Sequence, residues 1–199
     1  MYECVGHGIA AAQTLFIPRG EPVELWDLTL ENKSAQPRSL SVFSYAEFSY
    51  HQIPIDNQNF QMSLYCAGSR CEDGIIDYEL FHEGAHQFMA ASFRPDGFDC
   101  LRDSFLGPYR TEANPLAVER GRCFGSLEKG NNHCAVLQKR LTLVPGEKTR
   151  LVWMLREGGV GEGRRIREKV QRPGRGRRSP GRPGPVSGGQ AVQAPGVHP

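Results

Sequence analysis

The stretch Val136–Leu155, VLQKRLTLVPGEKTRLVWML, decides the fold class. Leu137, Leu141 and Leu143 fall on one side of an extended chain, with Lys139 interrupting them, and Gln138, Arg140 and Thr142 fall on the other. Residues two apart share a face of a strand, so this is the pattern of a half-buried antiparallel strand. Val144-Pro145-Gly146-Glu147 supplies turn chemistry, and Thr149–Leu155 resumes a β-rich run. The same grammar stands earlier in the chain. Pro22–Asn32 (PVELWDLTLEN) sets Val23 and Leu25 on one face and Trp26, Leu28 and Leu30 on the other. Lys33–Arg38 is polar and contains proline, and Ser39–Tyr50 (SLSVFSYAEFSY) brings Leu40, Val42, Ala46, Phe48 and Tyr50 into step. Two β-rich runs around a short polar loop predict a hairpin.

Between these pairs, Phe60–Cys66, Ile75–Phe81 and Gln87–Phe93 read as further strands, each bounded by Gly, Pro or Asp. Many short strands with turn signals, and no convincing helical stretch before residue 160, predict an all-β antiparallel β-sandwich over residues 1–157. Residues 94–134 lack clean alternation and read as a long ordered loop with one or two strands, a length often given over to function. Gly158–Lys169 (GGVGEGRRIREK) reads as a linker or a short basic helix over 158–170.

Composition bounds the function. The chain has 199 residues, 39% hydrophobic and 23% charged, which fits one soluble domain with or without a tail. It has no apolar run long enough to span a bilayer. Met1-Tyr2-Glu3-Cys4 lacks the basic start and apolar stretch of a signal peptide, so a cytoplasmic location is expected. The net charge of +2 hides a split. Residues 171–199 hold five Arg, seven Gly and six Pro and no acid; removing those five from the 24 Lys and Arg leaves 19 against 22 Asp and Glu, or −3, for residues 1–170. The body therefore offers no electrostatic reason to bind nucleic acid. The tail is expected to be disordered, since its prolines exclude a helix and few apolar residues remain for a core. Its Arg cluster has no aromatic residue for base stacking. The six cysteines form no C-x-x-C pair and, without a secretory signal, read as free thiols.

Several motifs have both a chemical and a plain reading. His82-Glu83-Gly84-Ala85-His86 matches H-E-x-x-H, which on a helix places two zinc ligands on one face around a general base, the mark of a zinc peptidase. Its flanks read as strands, Gly84 weakens a helix, and the metzincin continuation fails at Met89 and Ser92, so a hairpin turn explains the same residues. No metal site is therefore assigned. Gly158–Gly163 lacks the G-K-[ST] of a phosphate loop and reads as a hinge. Asn32-Lys33-Ser34 is a formal glycosylation sequon that reads as a turn. The acids Glu47, Asp56, Asp73, Asp77, Asp96, Asp99 and Asp103 include no pair that sequence can bring together. Arg102–Arg110 (RDSFLGPYR) is dense in charge and reads as ion pairing that pins the long loop. Asp56-Asn57-Gln58-Asn59-Phe60-Gln61 surrounds one aromatic ring with amides and an acid, the groups that hold sugar hydroxyls and sugar C–H faces.

These residues together carry a resemblance. LSVFSYAEFSY, DNQNFQMSLY, GFDCLRDSFLGPYRTEANPLAVERGRC, EKGNNHC and LTLVPGEKTRLVWML occur in one order over roughly residues 2–169. That ordered set resembles the cellobiose and cellodextrin phosphorylase family, glycoside hydrolase family 94, formerly glycosyltransferase family 36. The resemblance implies the N-terminal β-sandwich, or super-sandwich, of an enzyme that splits a β-glucosidic bond with inorganic phosphate. That enzyme inverts the anomeric centre and releases glucose 1-phosphate. It implies no cofactor, with phosphate as co-substrate, and places the general acid in a later (α/α)6 barrel, so this chain alone is expected to be inactive. Implied partners are a β-glucan oligosaccharide, that barrel and a second subunit in a homodimer, with no nucleic acid and no membrane.

The segment matching Asp56–Met62 reaches the active-site mouth in the family. Asp56, Asn59, Gln61 and Met62 are thus the implied substrate-binding residues. Met62 stands where some cellobiose phosphorylases carry an acceptor-facing Arg, which leaves cellobiose and longer cellodextrins both open. Two departures stand out. Gly6 intrudes in the opening Tyr2–Gly8, and Ile9–Thr14 reads as a shortened hairpin, an N-terminal truncation. At the other end, the family would continue through a helical linker, and a shifted reading frame in GC-rich DNA would account for the Arg/Gly/Pro tail. A stand-alone carbohydrate-binding module is the alternative.

Overall fold

The computed structural model describes residues 1–48, 65–81 and 84–172. Among them, eleven strands form two antiparallel sheets. β1 (Tyr2–Gly6), β2 (Ile9–Phe16), β3 (Glu24–Asn32), β5 (Ala67–Glu72), β6 (Ile75–Leu80), β7 (Ala85–Ala91), β9 (Glu128–Lys129) and β11 (Lys148–Glu157) make the large sheet. Its order is β1-β2-β3-β11-β7-β6-β5-β9. β4 (Arg38–Phe43), β8 (Gly97–Leu101) and β10 (His133–Leu143) make the small one, in the order β4-β10-β8. Three helices accompany them: α1 (Arg102–Leu106), α2 (Leu116–Glu119) and α3 (Val160–Gln171). None is long and apolar enough to cross a membrane.

The main core lies between the sheets. Leu30, Ile76, Met89, Leu151 and Trp153 meet Cys100, Ala135, Leu137 and Leu143, with Trp26, Leu28, Leu40, Val42, Ala46 and Phe48 packed around them. The alternation read from Pro22–Asn32 is realised here. Trp26, Leu28 and Leu30 face this core, while Val23 and Leu25 face a second one under α3, with Ile75, Phe88, Val152, Met154 and Ile166. A third cluster lies on the other side of β10, where Cys134 and Val136 meet Phe105, Leu106 and Ala117 of α1 and α2. The half-buried pattern therefore holds only for the end of β10. Residues 133–138 are buried on both faces, Gln138 included.

Three expectations are corrected. β3 and β4 do not form a hairpin: β3 pairs with β2 and β11, whereas β4 pairs with β10 across the sandwich. The turn Val144–Glu147 likewise joins two sheets. Both corners meet at Asn32, whose buried side chain donates from Nδ2 to Gln36 O (2.8 Å) and Leu143 O (2.9 Å). Its Oδ1 accepts from Ser34 N (2.9 Å) and Ser34 Oγ (2.7 Å), and its backbone exchanges bonds with Glu147 and Gly146. An extra local partner for the backbone lets each strand leave one sheet and enter the other. Burial also removes this asparagine from the surface a sequon needs.

The strand expected at Phe60–Cys66 lies mostly outside the described residues, and Cys66 precedes the strand β5 rather than ending one. The ordered stretch at 94–134 contains the two strands expected of it, β8 and β9, and beyond them the short helices α1 and α2. Their apolar residues cover the small sheet, so their spacing follows that surface rather than a free helix period. Gly158–Gly163 is no hinge. Gly159 caps α3, and Gly163 lies so close to the sheet that an added Cβ would stand 3.0 Å from Ile75 Cγ2 and 3.2 Å from Phe88 Cδ2. Finally, Ile9–Phe16 is a full strand paired along its length with both neighbours. His7 and Gly8, both at positive φ, close it onto β1 as a two-residue turn of type I′.

Candidate functional site

The implied substrate-binding residues Asp56, Asn59, Gln61 and Met62 lie outside the described residues. What the structure gives is the frame from which that segment leaves and to which it returns. At the departure, Phe48 stacks on the buried Tyr78, with ring centroids 5.2 Å apart, and Tyr78 meets His133 edge-on at 5.3 Å. His133 Nδ1 lies 2.9 Å from Ser69 Oγ, so the stack is fixed at both ends. Beside it, Arg102 Nε donates to Glu47 Oε1 (2.8 Å) and Arg102 Nη2 to Glu112 Oε1 (2.8 Å). The Tyr45 hydroxyl donates to the same Glu47 oxygen, and its ring stacks on Phe105 at 5.3 Å. Burial and the Glu47 hydrogen bond push the Tyr45 hydroxyl well above its usual pKa. The Glu47 hydrogen bond raises Arg102 further. Neither group changes charge near neutrality, so this network is a fixed brace.

The return is different in character. Tyr65 is 62% exposed, and Phe81 N donates to Cys66 O (2.8 Å). The Phe81 side chain, 43% exposed, comes so close to Gly68 that a Cβ there would stand 2.8 Å from its Cζ. Lys129 Nζ sits 5.6 Å from the ring centroid. An exposed aromatic ring with a cation beside it, as at Phe81 and Lys129, is the kind of pair that can take a pyranose C–H face and a hydroxyl. Sequence reading missed both rings. Phe81 reads in sequence simply as the last residue of the strand Ile75–Phe81, and it is Gly68 on the neighbouring strand, with no side chain, that leaves room for its ring.

The dense segment Arg102–Arg110 does pin the loop. Arg102 ties α1 to Glu47 and Glu112, and Arg110 pairs with Glu119 of α2. The acids scatter. Asp99 is buried and accepts from Phe124 N, Ser126 N and Ser126 Oγ. Asp73 and Asp96 line one surface cavity, and Asp103 stands in the first turn of α1.

The zinc-peptidase geometry is overturned. His82 and Glu83 lie outside the described residues, but Leu80 pairs with Ala85 where β6 and β7 meet as antiparallel neighbours. Gly84 sits at φ +62°, outside helical space, and His86 belongs to β7. His86 Nδ1 is 3.0 Å from Oδ1 of the buried Asp77, whose Oδ2 meets Arg70 Nη2 at 2.9 Å. His86 O accepts from Gly158 N (2.7 Å), which ties this hairpin to the entry of α3.

Comparison with known proteins gives consistent matches. The family model "Glycosyl hydrolase 94, supersandwich domain" matches residues 1–173. An N,N'-diacetylchitobiose phosphorylase of Vibrio proteolyticus is 48% identical over 175 residues, 85% of this chain and 22% of that protein. One from Vibrio furnissii is 45% identical over 174 residues, again 85% and 22%. A solabiose phosphorylase of Paenibacillus borealis is 32% identical over 174 residues, 84% and 22%. This chain thus spans 22% of the length of each of these relatives.

Proposed function

This chain belongs to the glycosyl hydrolase 94 family, as its supersandwich domain, and we propose that it serves an inverting phosphorylase acting on a β-linked disaccharide. The observation that carries the reading is the 48% identity to an N,N'-diacetylchitobiose phosphorylase along 85% of the chain. The domain walls the acceptor side of an active site whose general acid stands in a separate helical barrel. Inorganic phosphate is the nucleophile there and no cofactor is used. Asp56, Asn59, Gln61 and Met62 face the acceptor sugar, and the brace of Glu47, Arg102 and Glu112 fixes where that segment departs. The two Vibrio relatives favour an acceptor of the N-acetylglucosamine type over the glucose of cellobiose and cellodextrins. A second subunit and the barrel are its protein partners, and the enzyme works in the cytoplasm.

The test is a chimera in which residues 1–172 replace the matching part of the Vibrio proteolyticus enzyme. We expect phosphorolysis of N,N'-diacetylchitobiose to persist and to exceed that of cellobiose. Asn59→Ala should lower kcat/KM about tenfold or more, the loss of one or two hydrogen bonds to substrate. The 199-residue chain alone should release no sugar 1-phosphate from either disaccharide. A folded chimera inactive on both sugars, or phosphorolysis by the chain alone, overturns the reading.

A further inference from the structure

A cavity of about 520 Å³ opens where the β5–β6 turn meets the loop between β7 and β8. Its walls include Cys71, Asp73, Arg94, Asp96, Phe98 and Phe124. Tyr65, where the chain returns from the acceptor segment, stands at the other end of β5. Six strand residues separate the two ends, or about 20 Å.

The walls are held rigidly. Asp73 and Gly74 form a tight turn with both φ positive, and a Cβ on Gly74 would stand 2.7 Å from Pro95 Cδ, so the turn is seated directly on the facing loop. The buried Asp99 carboxylate fixes Phe124 and Ser126, and the buried Gln138 side chain receives Cys123 N at 3.1 Å. Within this frame the polar groups are only half used. Asp73 Oδ2 receives Arg167 (2.6 Å) and Arg164 (3.3 Å), and Asp96 Oδ2 receives Arg140 N (2.7 Å) and Lys139 (3.1 Å). The other oxygen of each carboxylate accepts no hydrogen bond among the described residues. The Arg94 guanidinium likewise has no ionic partner among them. The Phe124 ring is 45% exposed.

We propose that this cavity is a second saccharide site, which holds one neutral pyranose unit with its C–H face on Phe124 and its hydroxyls shared between Arg94 and the open oxygens of Asp73 and Asp96. A hydroxyl both donates and accepts, so it satisfies a guanidinium and a carboxylate at once. A fully ionised anion has no proton to give the two open carboxylate oxygens, which a sugar hydroxyl has. The carboxylates are oriented before any ligand arrives, which lowers the entropic cost of binding. The volume lies within the range usual for small-molecule sites. The choice of sugar rests on the phosphorylase reading; the cavity does not.

The experiment is an NMR titration of the full 199-residue chain with cellobiose, N,N'-diacetylchitobiose and, separately, inorganic phosphate. Saturable shifts are expected at the Gly74, Gly97 and Gly125 amides with either sugar. Arg94→Ala and Phe124→Ala, both exposed positions, should each weaken binding about tenfold or more while the remaining amide spectrum is kept, and Asn59→Ala should leave these shifts intact. Absence of sugar shifts, shifts insensitive to both variants, stronger shifts with phosphate, or shifts abolished by Asn59→Ala each overturn the site. Loss of activity in the chimera with these shifts preserved would sink the phosphorylase reading and leave the site standing. An active chimera without them would do the reverse.

Discussion

Asn32 closes two corners of the sandwich with one side chain. Its amide reaches both the β3–β4 corner and the end of β10, with one buried bond to Leu143 O beside the β4–β10 ladder. Replacing it by alanine removes these bonds and frees the Ser34 turn. Asn32→Ala should cost about 1–3 kcal/mol, the loss of two or more buried or half-buried bonds, read as a lower urea midpoint. A loss below about 0.5 kcal/mol would show that the corners hold without it. Sequence displayed this residue as the head of a sequon and as the last apolar-strand position, and nothing in its neighbours announced a partner 111 residues away.

The thiols are a second case at this scale. Burial pushes the Cys71 thiol up to about 11 and carries those of Cys100, Cys123 and Cys134 higher still. Cys4 stands exposed on β1. Iodoacetamide at neutral pH should therefore label Cys4 first and reach Cys100 and Cys134 only on unfolding. Mass-spectrometric peptide mapping over time decides it, and early labelling of Cys100 or Cys134 would contradict the buried geometry.

At the scale of the element, α3 is the informative piece. Its glycines looked alike in sequence, but they sit on opposite sides of the helix. Gly161 is exposed with nothing near its Cα substituent position, whereas Gly163 faces the fully buried Ile75 and Phe88. Gly161→Ala should stabilise by about 0.5–1 kcal/mol through helix propensity alone. Gly163→Ala gains the same propensity but must displace two packed side chains, for which overpacking costs about 1–3 kcal/mol, so a net loss of about 1 kcal/mol is expected. Thermal melts of the two variants should move in opposite directions.

The polar side of α3 is docked by ion pairs, Asp73 with Arg167 and Arg164, Glu21 with Lys169, and Glu162 with Arg156 of β11, while Glu162 also pairs with Arg165 within the helix. Hydrogen bonding to these cations holds all three carboxyls below their ordinary pKa. A carboxylate lowered on folding contributes above its unfolded pKa, about 4, and that contribution is lost as pH falls through the folded value. Amide exchange of α3 should therefore quicken below about pH 4, and added salt should quicken it at neutral pH by screening the exposed pairs. Exchange rates in α3 unchanged between pH 5 and pH 3, after correction for the intrinsic chemical rate, would place its docking on the apolar face alone.

At the scale of the whole molecule, β1 is the edge of the large sheet among the described residues. Every residue of β1 is exposed, with Met1, Tyr2 and Val5 on it and Leu15, Phe16 and Ile17 at the end of β2. An edge strand bearing apolar side chains is a template for association. The purified chain should self-associate at micromolar concentration. Val5→Lys should shift it toward monomer in sedimentation velocity without lowering the melting temperature, since Val5 adds nothing to a core. A wild-type chain that stays monomeric and unfolds reversibly in one transition would refute this.

The sequence by itself determined the fold class, the faces of β3 and β4, the hairpin β6–β7 and the family. These rest on period-two alternation, on turn residues, and on an ordered set of segments, all of which are local or linear properties. Only the tertiary structure decided that β3 and β4 belong to different sheets, because alternation says which face is buried and not which strand lies alongside. It also decided that residues 133–138 of β10 and 151–154 of β11 are buried on both faces, since the covering layers of α1, α2 and α3 come from elsewhere in the chain. The cavity at Asp73, Arg94 and Phe124 follows the same logic: three turns distant in sequence meet only once the two sheets are packed.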